Sequence, residues 1–300
     1  MNRKAVAISA MLVLGAYGET NRAFAISFPR STTSFRGGSV YRFRAGLDGG
    51  GDFSVNRYAG DFSIGRMWDF DSFASVTFGL GQDDYRFSGR DDEPWNNINN
   101  YRLGLFVRKG VGEHWTLFAA PSVRNYAQAG VGIASDEITG AFFGGATYRF
   151  NDRLSLGPAL GIVEQLEDSV GYFPALLVNW EVTERLSIET GSGLAATAGP
   201  GLAAIYALDD HWKIGLAGRY EKKRFRLDDH GVAPRGVGED RNVPIHATLA
   251  YFLYPRGFVS LMLGYDFNGS LGLFAADGDK IEEIDYGSAV SAGIYFSFKL

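Results

Sequence analysis

Four histidines, no cysteine and a scatter of carboxylates bound the chemistry open to this 300-residue chain. The strongest hydrolytic arrangement is Asp228-Asp229-His230 taken with Asp83-Asp84. Carboxylates beside an Asp-x-His pair could activate a water for peptide hydrolysis, with histidine as the base. That chemistry requires Asp83, Asp84, Asp228 and His230 to converge. His114 and His211 fall in short turns, and His246 stands alone on an inward strand face, where it reads as a hydrogen-bonded lumen histidine. Neither His230-Gly-Val nor His246-Ala-Thr supplies the His-x-Ser pair a lipase would use. Scattered histidines without cysteine leave no transition-metal spacing. Asp277-Gly278-Asp279 and Glu282-Glu283 offer oxygen ligands for calcium, but read better as a solvated charge run. The glycines at 49–51 have no Lys-Ser or Lys-Thr behind them, so no phosphate loop is expected. The chain reads as a non-enzyme with no metal and no cofactor.

The larger set of charged residues is basic and recurs with a period of two. Arg42, Arg44, Arg57, Arg102, Arg108, Arg124, Arg149, Lys213 and Arg219, with Asp61, Glu189 and Glu221, fall opposite an apolar stripe. Tyr101, Leu103, Leu105 and Val107 alternate with Arg102, Gly104, Phe106 and Arg108. Ile245, Ala247, Leu249, Tyr251 and Leu253 alternate with His246, Thr248, Ala250 and Phe252. Alternation of this kind is the signature of strands with one apolar face. After residue 25 no stretch keeps a helical period, and no run is long enough for a membrane helix.

These strands are joined by connections that alternate in length. Short ones lie near 69–72, 110–114, 151–153, 182–185, 209–211 and 254–257. Long ones, rich in Asp, Gly, Pro and Asn, lie near 88–98, 128–137, 165–171, 195–200, 227–243 and 268–285. The short turns repeat a scheme, NDRLSL, TERLSI, DDHWKI and GEHWTL. Trp68, Trp115, Trp180 and Trp212 lie beside short turns, where an indole ring can sit at a membrane–water boundary. Fourteen strands result, twelve if the first pair is not formed. The later ones are placed at 212–226, 244–253, 258–267 and 286–299.

Both ends carry signals. A basic start at 2–4, an apolar run at 5–15 and Ala23-Phe24-Ala25 read as a signal peptide over 1–25, cleaved after Ala25. A short segment over 26–38 and a transmembrane barrel over 39–300 follow. At the other end Ile294, Phe296, Phe298 and Leu300 keep the apolar alternation to the last residue. In a closed barrel the last strand must pair with the first, which explains a tail that cannot fray.

The whole mature chain resembles bacterial outer-membrane β-barrels, with short periplasmic turns and longer outer loops. Ser291, Gly293, Phe296 and Phe298 match the spacing of the C-terminal assembly signal of that group, although Leu300 stands where an aromatic residue is usual. Phe225-Arg226-Leu227 and the Tyr-Phe-Ser-Phe ending at 295–298 resemble porin-like barrels of unknown function. The resemblance implies an all-β, single antiparallel barrel in the outer membrane of a Gram-negative cell. Its implied partners are outer-membrane lipid and lipopolysaccharide, and the assembly machinery through the last strand. The basic, glycine-rich inward face adds the expectation of a porin-like channel for small polar or anionic solutes. A plugged structural or adhesive barrel, with inward Arg–Glu pairing, is the alternative. A formal charge of -5, more negative once residues 1–25 are removed, argues against nucleic acid as a partner.

Overall fold

The computed structural model describes residues 30–90, 93–132, 137–167, 170–191 and 201–300. The expected signal peptide and its cleavage point lie outside the described residues. Regular structure begins with β1 (Arg30–Gly46), β2 (Asp52–Met67), β3 (Phe73–Ser88), β4 (Asn97–Val111), β5 (Trp115–Gln128) and β6 (Ile138–Asn151). It continues with β7 (Leu154–Glu164), β8 (Val170–Glu181), β9 (Leu186–Thr190), β10 (Gly201–Ala207) and β11 (Trp212–Arg219). The last elements are β12 (Glu221–Arg226), β13 (Val237–Leu253), β14 (Gly257–Phe274), β15 (Lys280–Tyr286) and β16 (Ala289–Lys299).

These segments form a closed antiparallel barrel of fourteen strand positions. β11 and β12 share one position, because both pair with β13. β15 and β16 share another, because both pair with β14. The barrel closes where β16 meets β1, from Ser34 opposite Lys299 to Arg42 opposite Ser291. Leu300 adds one more bond, from its amide to the Thr33 carbonyl at 2.9 Å. The tail is therefore a seam, and its Ile294 is 44% exposed on the outer face while Ser291 is buried inside.

Alternation decides the two faces. On β4, Tyr101, Leu103, Leu105 and Val107 are 39–51% exposed, and Phe106 and Arg108 are turned inward and buried. On β13, Ile245, Leu249, Tyr251 and Leu253 face out, with His246, Thr248, Ala250 and Phe252 buried between them. An exposed band of this size on a β-barrel is a lipid-facing surface. Trp68, Trp115, Trp180 and Trp212 are all 39–50% exposed beside the short turns, forming one rim of that band. Trp115 and Tyr148 meet edge to face, as do Tyr148 and Phe150.

The repeated turn scheme has a local cause. Its first polar side chain accepts a backbone N–H two or three residues on, which fixes a tight reversal. Asp209 accepts from His211 and Trp212, each at 2.7 Å. Asn151 accepts from Arg153, Thr183 from Arg185 and Leu186, and Asp69 from Asp71. In GEHWTL the reversal is made by Gly112 at φ 65°.

Several boundaries differ from expectation. Paired strand begins at Arg30, not at residue 39, because Gly37 and Gly38 interrupt the apolar pattern without interrupting the ladder. β13 begins at Val237 and β14 runs to Phe274, so most of the expected loop over 268–285 and part of that over 227–243 is sheet. A bulge between Arg42 and Ala45 flips the end of β1. Arg44 consequently points out, 72% exposed and 3.7 Å from Asp52, and does not line the lumen.

Candidate functional site in the lumen

The outer half of the lumen is filled by the chain itself. β11 leaves the wall after Arg219, and β12 crosses the interior. Glu221 on β12 accepts from Arg57 of β2 at 3.3 Å, and Lys223 donates to Asp83 of β3 at 2.8 Å. Arg226 reaches β5, pairing in parallel with Ala127. Its guanidinium donates to the carbonyls of Arg235 and Leu166 at 2.7 and 2.9 Å. Arg224 donates to Gln165 at 2.6 Å, bonds Glu167, and lies over the Phe274 ring.

Asp240, at the outer end of β13, is the hub of this crossing. Its carboxylate accepts from Arg42 at 3.0 Å, Arg57 at 2.6 Å, Tyr85 at 2.8 Å and Tyr286 at 2.8 Å. The donors come from β1, β2, β3 and β15. Arg42 also donates to the Tyr286 hydroxyl at 2.6 Å and lies over the Phe53 ring at 4.6 Å. A buried ion cluster of this kind adds little net stability over an apolar filling, while its directional bonds tie four strands to one side chain. Around it Phe53, Tyr85, Phe87, Trp95, Phe225 and Leu273 belong to one buried apolar cluster. Trp95 packs edge to face on Phe225, with ring centroids 5.1 Å apart.

The inner half is lined by smaller groups. Asp61 accepts from Arg36 at 2.8 Å and Arg102 at 2.6 Å. Asp266 accepts from Asn242 at 3.1 Å and Ser291 at 3.3 Å. Arg219 donates to the Gly191 carbonyl at 3.0 Å, and Lys213 lies 4.5 Å from the centre of the Phe252 ring. Glu189 is buried on β9. Arg124 donates to Thr139 at 3.3 Å. Arg108 and Arg149 sit at the turn end, bonded to the carbonyls of Phe70 and Glu113.

The hydrolytic set does not assemble. His230 is exposed, with its ring 3.9 Å from Asp228, whose other oxygen accepts from Gln128. Asp83 belongs to the lumen network through Lys223, and Asp84 pairs with Arg86 at 2.9 Å. In the loop before β15 Asp277 caps the Asp279 amide at 3.2 Å, and on β15 Glu283 pairs with Lys280 at 2.7 Å. Sequence reading placed Arg42, Arg57, Asp61, Arg102, Lys213, Glu189 and Glu221 on the inward face. It missed Asp240, Tyr85, Tyr286 and Trp95. Asp240 was missed because Gly236-Val237-Gly238-Glu239-Asp240 looks like a polar loop.

No protein-family model and no curated protein matches the chain. Among solved structures it is similar to the COG4313 outer membrane channel from Pseudomonas putida F1, at 10% identity over 94% of this chain and 100% of that one, TM-score 0.49. It is also similar to a Pseudomonas aeruginosa FadL homologue, at 11% identity over 90% and 88%, TM-score 0.44. A third is OccK7 of Pseudomonas aeruginosa, at 10% identity over 92% and 99%, TM-score 0.34. The class is defined by the chain's own architecture: it is an outer-membrane-type β-barrel.

Proposed function

We propose that the chain is an outer-membrane channel for passive passage of small solutes, closed on its outer side by the β12–β13 hairpin. The observation that carries this reading is the hub at Asp240. Four donors from four other strands hold one side chain of the crossing segment. Loss of that one carboxylate would release four bonds together. Polar or anionic solutes remain the proposed cargo. The anion preference is weak in this reading, because Arg42, Arg57 and Arg102 are each paired with carboxylates. The apolar band would lie in outer-membrane lipid beneath lipopolysaccharide, with the last strand engaging the assembly machinery.

Conductance in planar bilayers under a salt gradient tests the reading. The wild-type barrel should give rare, small steps, and Asp240→Ala should give larger and more frequent ones. Silence from both folded proteins would favour the structural barrel with a permanently filled lumen.

A further inference from the structure

Five inward phenylalanines form a row that winds up one side of the lumen. Phe73 on β3, Phe106 on β4, Phe118 on β5, Phe143 on β6 and Phe173 on β8 have successive ring centroids 6.2, 6.2, 5.5 and 5.8 Å apart. The row skips β7, where Gly161 lies directly opposite Phe173. A Cβ at Gly161 would come within 1.9 Å of the Phe173 ring, and one at Gly65 within 2.7 Å of the Phe73 ring. At both ends, then, an inward glycine leaves the seat on which a ring lies. Phe73 and Phe106 at the turn end are buried. Phe118, Phe143 and Phe173 face inward yet stay only partly covered, which a closed core would not leave.

We infer that this row is a binding path for small, uncharged, ring-bearing molecules crossing the lumen. The inference rests on the channel reading and adds an uncharged class of cargo to the polar and anionic solutes proposed above. Among the described residues, the inward positions directly beside Phe143 and Phe173 include Ala120, Gly145, Gly161 and Ala175, none with a polar side chain, while Phe118 has Arg108 opposite it. Beside Phe143 and Phe173 a sugar would leave its hydroxyls unbonded, and an ion would find no charged side chain directly opposite. An aromatic solute finds offset or edge contacts at the spacing such pairs adopt. Arg108, opposite both Phe73 and Phe118 in the ladder, marks where the path reaches the turn end.

The test uses 4-fluorobenzyl alcohol as the probe and the whole barrel in lipid nanodiscs. Fluorine NMR line broadening reports binding, with empty nanodiscs as the blank and excess glucose as competitor. Wild type should broaden the line beyond the blank, and glucose should not reverse it. The double variant Phe143→Ala/Phe173→Ala should weaken binding roughly tenfold. Phe143→Leu/Phe173→Leu keeps the apolar volume and guards against a folding defect; it should lose most of the effect too. Equal broadening by wild type, both variants and empty nanodiscs would overturn the path. Conducting channels without specific broadening would sink the path alone. Broadening in a barrel that never conducts would sink the channel and keep the binding row.

Discussion

At the scale of the residue, Asp240 shows how a buried charge is made tolerable. Its oxygens meet two guanidinium groups and two phenols, so the desolvated carboxylate is bonded on both sides. Removing it by Asp240→Ala leaves Arg42 and Arg57 buried with their strongest acceptor gone. Breaking one side of such a cluster costs about 3–5 kcal/mol. The loss should appear as a lower urea midpoint of the folded barrel, with the hairpin released before the wall. An unchanged midpoint would show that the cluster is not what holds the hairpin. The arginines of this cluster were legible in the sequence, because they sit on alternating strands. Their acceptor was not, since a segment that is polar on both faces carries no stripe to mark it as strand. Arg44 shows the converse failure: alternation pointed it inward, and a single bulge turned it out.

Among the elements, the short turns explain why one sequence scheme recurs. NDRLSL, TERLSI and DDHWKI open on a side chain that holds the reversal, GEHWTL turns at Gly112 instead, and all four lead into an outward Leu or Trp at the boundary of the apolar band. In the turn after β10, Asp209 accepts two backbone N–H groups, and those bonds hold its carboxyl below the usual carboxylate range. A depressed folded value means that the stabilisation is present above the ordinary carboxylate range and fades as pH falls through the folded value. Asp209→Ala should therefore lower the thermal midpoint of the barrel slightly near neutral pH. The gap to wild type should close in acid, as the wild-type carboxylate takes up its proton. A gap that stays constant with pH would assign the effect to the turn backbone instead. The turns could be read from the sequence because a polar cap before an apolar pair is a local signal. The inward course of β12 could not. It depends on Glu221, Lys223 and Arg226 finding partners on β2, β3 and β5, and nothing in their own neighbourhood announces those partners.

For the molecule as a whole, closure is the governing constraint. A backbone N–H or C=O left unpaired in hydrocarbon costs several kcal/mol, so a lipid-spanning sheet must have no edge. β16 satisfies both of its neighbours at once: Phe296 pairs with Gly37 of β1 and with Val259 of β14, and Phe298 with Phe35 and Gly257. Deleting Phe296–Leu300 strips the turn-side end of both ladders together. It also removes the Lys299 amide bond to the Arg256 carbonyl and the Leu300 amide bond to the Thr33 carbonyl. Among the described residues no other segment is placed to cover β1 and β14 there, so the open edge would face lipid. The truncated chain should fail to reach a heat-modifiable form in the outer membrane, and should accumulate unfolded or be degraded. Restoring the five residues should restore assembly. Replacing Phe296 and Phe298 by leucine should retain most of it, because the ladder is made by backbone and the outward face needs only to be apolar. Wild-type amounts of heat-modifiable barrel from the truncated chain would mean that β1 and β14 close the wall without β16, against the register seen here.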